Sequence, residues 1–261
     1  MIVLFTDFGV AGPYLGQLKA VLHSNAPGVP VIDLFADAPA HDPRASAYLL
    51  GAYCEVIGEA SIFLSVVGSS RKALVVRAGR RWFVGPDNGL FEIVIRRAMQ
   101  SPSAEPAVEC WEIVWRPDQL SASFHGRDLF APVAAQLALG DLPDAGGRFE
   151  PIAVDAARRS EWPDDLGEAI YIDHFGNVIT GLRAAALQPR IGIKVSDRHI
   201  PRAKTFSEVS PGLCFAGGCV LLGVVFCYED ANGLLEIAVN GGRADEVLGL
   251  EVGSAVIQEN G

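Results

Sequence analysis

The tetrapeptide His125-Gly126-Arg127-Asp128, within SASFHGRDLFAPVAAQLALGD, sets an imidazole, a guanidinium and a carboxylate on a loop that opens a helical pattern. An imidazole there can move a proton, and a guanidinium and a carboxylate can bind or orient a polar substrate. The structural alternative is that Asp128 caps the helix and Arg127 pairs with a surface carboxylate. Three further polar clusters abut apolar, strand-like runs: TDFG at 6–9, GPDNGL at 85–90 and DHFGN at 173–177.

These clusters need a scaffold. The chain has 261 residues, half of them apolar, enough for one large or two modest domains. In the first half, IVLFTD, VPVIDLF, SIFLSVV, KALVVRAG, RRWFVG and ECWEIVW read as strands. GQLKAVLHSNA, DPRASAYLLGAYCEVIG, NGLFEIVIRRAM and DLFAPVAAQLALG read as helices. Near-continuous apolar strands between helices indicate a layered α/β domain over 1–145 with a mainly parallel sheet. Ligands in such sheets collect at the carboxyl ends of the strands, where TDFG, the segment after LSVV and GPDNG all fall.

The stretch Asp141 to Glu168 is rich in Pro, Gly and acidic residues, and a linker is expected over 146–167. From 168 to 261 the pattern changes to AIYIDHFGNVIT, IGIKVS, CVLLGVVFCYE, LLEIAVN and SAVIQ, short strands with turn signals that predict a smaller all-β domain. EDANG at 229–233 reads as a hairpin turn.

Composition excludes several function classes. A formal charge of −10 with scattered Lys and Arg disfavours a nucleic-acid partner. The longest apolar stretch, from Cys219, is about half of what a bilayer span needs, so no membrane role is expected. The first residues lack a basic segment and run directly into a strand pattern, which argues against a secretory signal. Cys54, Cys110, Cys214, Cys219 and Cys227 are odd in number and form no CxxC pair, as expected of buried free thiols in a reducing, cytoplasmic setting without structural zinc.

MIVLFTDFG, VPVIDLFADAPAHDPRASAYLL, FVGPDNGL, SFHGRDLFAP, YIDHFGNVIT and GLLEIAVNGG occur in the order and spacing of the SAM hydroxide adenosyltransferases, and the chain resembles that family along nearly its whole length. The family is related to enzymes that fluorinate or chlorinate the adenosyl group of S-adenosylmethionine. The resemblance implies an N-terminal α/β domain joined to a barrel-like β domain, and a homotrimer with substrate between neighbouring subunits. It implies attack of water or hydroxide on the ribose 5′ carbon of S-adenosylmethionine, releasing adenosine and L-methionine, with no metal or organic cofactor.

Residue by residue, the resemblance assigns His125 and Arg71 to the attacking water and Asp7 to the ribose hydroxyls. Asp173 and Asn177 hold the amino-acid end of the substrate and Phe175 lines the adenosyl pocket, while Asn88 reaches the ribose or water. His41 stands where halogenating relatives have a stacking tryptophan, and Arg127 and Asp128 brace the loop that presents His125. Simpler readings exist beside these: Asp7 as a helix cap near Gly12, Asn88 as a turn residue, and DHFGN as a polar β-turn with one core aromatic. Ala231-Asn232 replaces a Ser-Arg or similar pair of the relatives, and His174 has no assigned role.

One family element is missing. Relatives carry a loop resembling VVDPGVG, whereas this chain runs Val66-Val67-Gly68-Ser69-Ser70-Arg71, shorter by the four residues Asp-Pro-Gly-Val. Either the deletion is real and removes an acidic residue from water activation, or a segment of the natural chain is absent here. The latter is expected, because a strand joined directly to Gly68 leaves little room to turn.

Three other functions follow from other weightings. A genuine deletion would leave a non-catalytic binder of adenosyl ligands. A halide in place of water would make a halogenase, although relatives of that kind have an aromatic residue at the position of His125. A metal-assisted hydrolase would use Asp7, His125 and Asp128, which lack ligand spacing on one element.

Overall fold

The computed structural model describes residues 1–70, 72–101, 108–143, 146–188, 192–205, 208–209 and 224–258. Arg71, Cys214, Cys219 and the start of the CVLLGVVFCYE run lie outside the described residues. The chain forms two compact units, Met1–Glu161 and Trp162–Gly261.

In the first unit a seven-stranded sheet has the order β2 (Val31–Phe35), β1 (Ile2–Thr6), β3 (Ile62–Val66), β5 (Arg81–Pro86), β4 (Ala73–Ala78), β6 (Val108–Ile113), β7 (Phe149–Ile152). The first four run parallel, and β4, β6 and β7 add antiparallel pairings. β1 and β3 are buried at every position because helices cover both faces of the sheet. α1 (Tyr14–Asn25) and α4 (Ala131–Leu139) pack on one face, and α2 (Pro43–Tyr53) and α3 (Glu92–Gln100) on the other.

Local sequence explains the helix placements. α2 starts where the Asp42 carboxylate accepts the Ala45 N–H and Pro43 fills the first turn. Gly51 lets α2 approach α3, since a Cβ there would sit 2.6 Å from Ile93 Cγ2. α4 ends at Gly140, at φ +97°, as its terminal glycine suggests.

Residues 146–161, which the sequence reading placed in a linker, pack as part of the first unit. β7 extends the sheet, and a 3-10 turn over Val154–Ala157 leads to Arg158 and Arg159. Pairing of β7 with β6 holds the first part of the segment, and one buried charge holds the end. Glu92, fully buried at the start of α3, accepts hydrogen bonds from Arg96 (2.7 Å), Arg158 (3.0 Å) and the Arg159 backbone N–H (2.6 Å). Burial would raise the Glu92 carboxyl, but these bonds outweigh it and hold it below the usual carboxylate range.

Among the described residues the second unit forms two antiparallel sheets. One is ordered β12 (Val225–Glu229), β13 (Leu234–Val239), β9 (Val178–Arg183), β8 (Leu166–Ile172), and the other β11 (Arg198–Ile200), β10 (Ile193–Val195), β14 (Ile257–Gln258). A shared apolar core includes Val178, Ile193, Cys227 and Ile237, and one short helix, α5 (Ala244–Leu248), follows β13. The turn expected at EDANG joins β12 to β13, where Asp230 Oδ1 accepts the N–H groups of Asn232 and Leu234.

Glu236 on β13 lies opposite Tyr228 on β12 and accepts its hydroxyl hydrogen bond. Only 7% of Glu236 is exposed. Burial is the main reason its carboxyl is pushed up to about 7; Asp173 and Asp230 add to the rise, and the Tyr228 hydroxyl opposes it.

Two stability predictions follow. Glu92→Gln leaves the guanidinium groups without their counter-charge and lowers stability by about 3 kcal/mol in urea unfolding. Glu236 binds its proton more tightly folded than unfolded, so its contribution is greatest at low pH and is lost as pH rises from the ordinary value of 4.5 through about 7. Unfolding midpoints across that window should fall less steeply in Glu236→Gln.

Candidate active site

At the carboxyl ends of the parallel strands, Asp7 follows β1, Val67 and Gly68 follow β3, and Asp87-Asn88 follows β5. Asp7 Oδ2 accepts two backbone hydrogen bonds, from His41 (3.0 Å) and Gly68 (3.1 Å). Asn88 Nδ2 donates to the Val67 carbonyl (2.8 Å), and Asn88 Oδ1 accepts the Leu90 N–H. Asp7, His41, Gly68 and Asn88 are therefore joined at the carboxyl ends of the parallel strands, the candidate crevice.

Asp7 does not cap α1, whose first residue follows Pro13 without a side-chain cap. The His41 backbone sits in the left-handed region at φ +58°, where a non-glycine residue is strained. Its bond to Asp7 holds that conformation, and the ring is 91% exposed.

The connection after β3 corrects one expectation. The chain turns directly from Val67 into Gly68, which adopts φ +61° and spends its N–H on Asp7. Glycine makes the reversal without steric cost, so the short segment has the room it was expected to lack.

His125 stands at the entry of a five-residue π-turn, Gly126–Phe130, that continues into α4. Its side chain has no hydrogen-bond partner among the described residues. Such wide turns recur at functional positions because they re-aim side chains on a helix. Arg127 and Asp128 pair with each other (2.6 Å); Asp128 also accepts the Ser121 N–H and Arg127 donates to Gln17. The Arg127 hydrogen bond holds the Asp128 carboxyl below its usual range. These two side chains brace the loop carrying His125.

Sequence reasoning missed what joins that loop to Asp7. Phe8, Tyr14 and Phe124 form an aromatic cluster with ring centroids 5.4–6.1 Å apart, Phe124 meeting each of the other two edge to face. A Cβ at Gly126 would come within 3.1 Å of the Phe8 ring, so glycine there permits the close contact. The available signal was position alone: Phe8 adjoins Asp7 and Phe124 adjoins His125.

In the second unit, Asp173 Oδ1 accepts the N–H groups of Phe175 and Asn177, and Asn177 Nδ2 donates to Asp173 Oδ2 (3.0 Å). DHFGN is thus a self-capped turn, with Gly176 at φ +81°. Phe175 is no core aromatic, being 72% exposed. His174 contributes its carbonyl to Arg243. The described residues contain no cluster of three or more His, Cys, Asp or Glu side chains able to hold a metal ion, and no described helix is long and apolar enough to cross a membrane.

Comparison with known proteins follows this two-unit layout. Residues 2–147 match the SAM hydroxide adenosyltransferase N-terminal domain and residues 167–257 the corresponding C-terminal domain. The (R)-S-adenosyl-L-methionine hydrolase of Thermus thermophilus is 38% identical, covering 98% of each chain. The enzyme of the same name from Salinispora arenicola is 35% identical, over 95% of this chain and 93% of its own. A crystal structure of a conserved protein from Thermotoga maritima superposes with a TM-score of 0.80 at 28% identity over the full length of both. With both domains matched in order, the chain belongs to the SAM hydroxide adenosyltransferase family.

Proposed function

We propose that this protein cleaves S-adenosyl-L-methionine, with water attacking the ribose 5′ carbon to give adenosine and L-methionine. The observation that carries this reading is the state of Asp7. Its Oδ2 is saturated by two backbone N–H groups, which fixes the carboxylate and leaves Oδ1 to accept from a ribose hydroxyl. Family membership and the relatives named as hydrolases of this substrate supply the rest.

The sulfonium is already a good leaving group, so the protein's task is to align water in line with the C5′–S bond and take its proton. With no acidic residue between Val67 and Gly68, His125 is assigned as proton acceptor, and Arg71, outside the described residues, as the group that orients the water. Asn88 borders the ribose and His41 the adenine. Asp173 and Asn177 take the amino-acid end, and Phe175 offers its exposed ring to the adenosyl group. No metal or organic cofactor enters the reaction. A homotrimer with sites at subunit interfaces and a cytoplasmic location belong to the same proposal. Burial of the free thiols Cys54, Cys110 and Cys227, each with its pKa raised, accords with a reducing compartment.

A second reading has one observation in its favour. The absent acidic loop residue allows a crevice that binds adenosyl ligands without turning them over.

Chromatography with mass detection, after incubation with S-adenosylmethionine in the presence and absence of chloride, separates the readings. Adenosine and methionine in equal amounts are expected, and His125→Ala should lower kcat by about 10²- to 10⁴-fold. Tight adenosine binding without product would establish the binder, and 5′-chloro-5′-deoxyadenosine would establish a halogenase. Asp7→Asn removes a charged acceptor and should weaken adenosine binding by roughly ten- to a hundredfold in calorimetry.

A further inference from the structure

The segment that leaves the sheet after β7 returns to the edge of the crevice through one side chain. Arg159 Nη2 donates to Asp87 Oδ1 at 3.2 Å, while its backbone N–H is held by the buried Glu92 and its Nη1 donates to the Arg158 carbonyl. Asp87 immediately precedes Asn88, and the Asp87 N–H donates to the Lys72 carbonyl, one residue beyond Arg71. Asn88 in turn holds the Val67 carbonyl beside Gly68. An unbroken set of hydrogen bonds thus runs from Glu92, which solvent does not reach, through Arg159 to the turn that borders the crevice.

We propose that Arg159 is a positioning residue that fixes the Asp87-Asn88 turn and, through it, the Val67-Gly68 connection. Its role as an aid to substrate binding rests on the function proposed above; its effect on the geometry of Asn88 does not.

The charge arrangement gives the role physical content. A guanidinium anchored at its backbone by a buried carboxylate, and at Nη1 by a carbonyl, reaches Asp87 with little freedom left to lose. The Asp87–Arg159 pair is partly exposed, so it adds little to global stability. What it restricts is where the five-residue connection between β5 and α3, residues 87–91, can stand. Arg158 shares the Glu92 anchor but donates to Glu92 and to Met99 Sδ rather than to Asp87, which separates anchoring from positioning.

The test compares Arg159→Met, Arg159→Lys and Arg158→Met. In ¹⁵N-labelled protein without ligand, the side-chain amide signals of Asn88, assigned by their loss in Asn88→Asp, should shift in Arg159→Met. Arg159→Lys should restore them in part, and Arg158→Met should leave them in place while lowering Tm more. With S-adenosylmethionine, Arg159→Met should raise KM by about five- to tenfold with kcat held, and should have no further effect in an Asn88→Ala background. Unmoved Asn88 signals in Arg159→Met, or effects that simply add to those of Asn88→Ala, would overturn the proposal. Shifted signals in a protein that does not cleave S-adenosylmethionine would uphold the positioning role and remove the hydrolase reading instead.

Discussion

Oδ2 of Asp7 is the point on which the crevice depends. The carboxylate sits at the end of β1, the strand between the two segments it secures, and accepts one N–H from each. On the β2 side it stabilises a left-handed residue, His41, at the entrance to α2; on the β3 side it captures Gly68 as the chain reverses. A fixed acceptor with two charge-assisted hydrogen bonds is worth more here than a neutral side chain, because it is largely out of water and its partners are backbone groups that cannot move away independently. The position of each segment is thereby tied to the others. A ligand bound at Oδ1 would meet a surface already assembled.

The architecture of the first unit was legible because its signals are local. Apolar runs such as IVLFT and IFLSV are buried end to end, and the helical patterns between them fall where α1 to α4 lie. Boundaries shifted where tertiary contacts intervene. The pattern expected to open at Asp128 begins as a π-turn at Gly126, and the helix expected through Gly58 gives way after Tyr53 to a 3-10 turn. Residues 146–161 carry the Pro, Gly and acidic residues that signal a linker, whereas β7 is held by its pairing with β6 and the residues beyond it by Glu92, more than fifty positions earlier. No local pattern carries that information.

The candidate site was legible as motifs and illegible as geometry. TDFG and PDNG mark the residues at the strand ends and HGRD those at the entry to α4, yet nothing in them shows that Asp7 commits one oxygen to backbone or that Phe8 and Phe124 join two of the loops. DHFGN could be read as a turn or as a ligand-holding group. Its hydrogen bonds are those of a turn, and the exposed Phe175 removes the core-aromatic part of that reading. The short Val67-Gly68 connection looked impossible from length alone. It needed the one residue type that tolerates φ +61°, and that residue is present.

The burial of Glu92 also bears on how the chain is made. Its counter-charges come partly from Arg96, one turn away, and partly from Arg158 and the Arg159 N–H, supplied more than sixty residues later. During synthesis α3 therefore emerges carrying a carboxylate whose native surroundings do not yet exist. Closing the α2–α3 face over the sheet before residue 159 has left the ribosome would bury that charge with a single guanidinium beside it. The first unit is thus set to complete itself late, and a fragment cut at the end of the family's N-terminal domain, residue 147, would lack the piece that seals it.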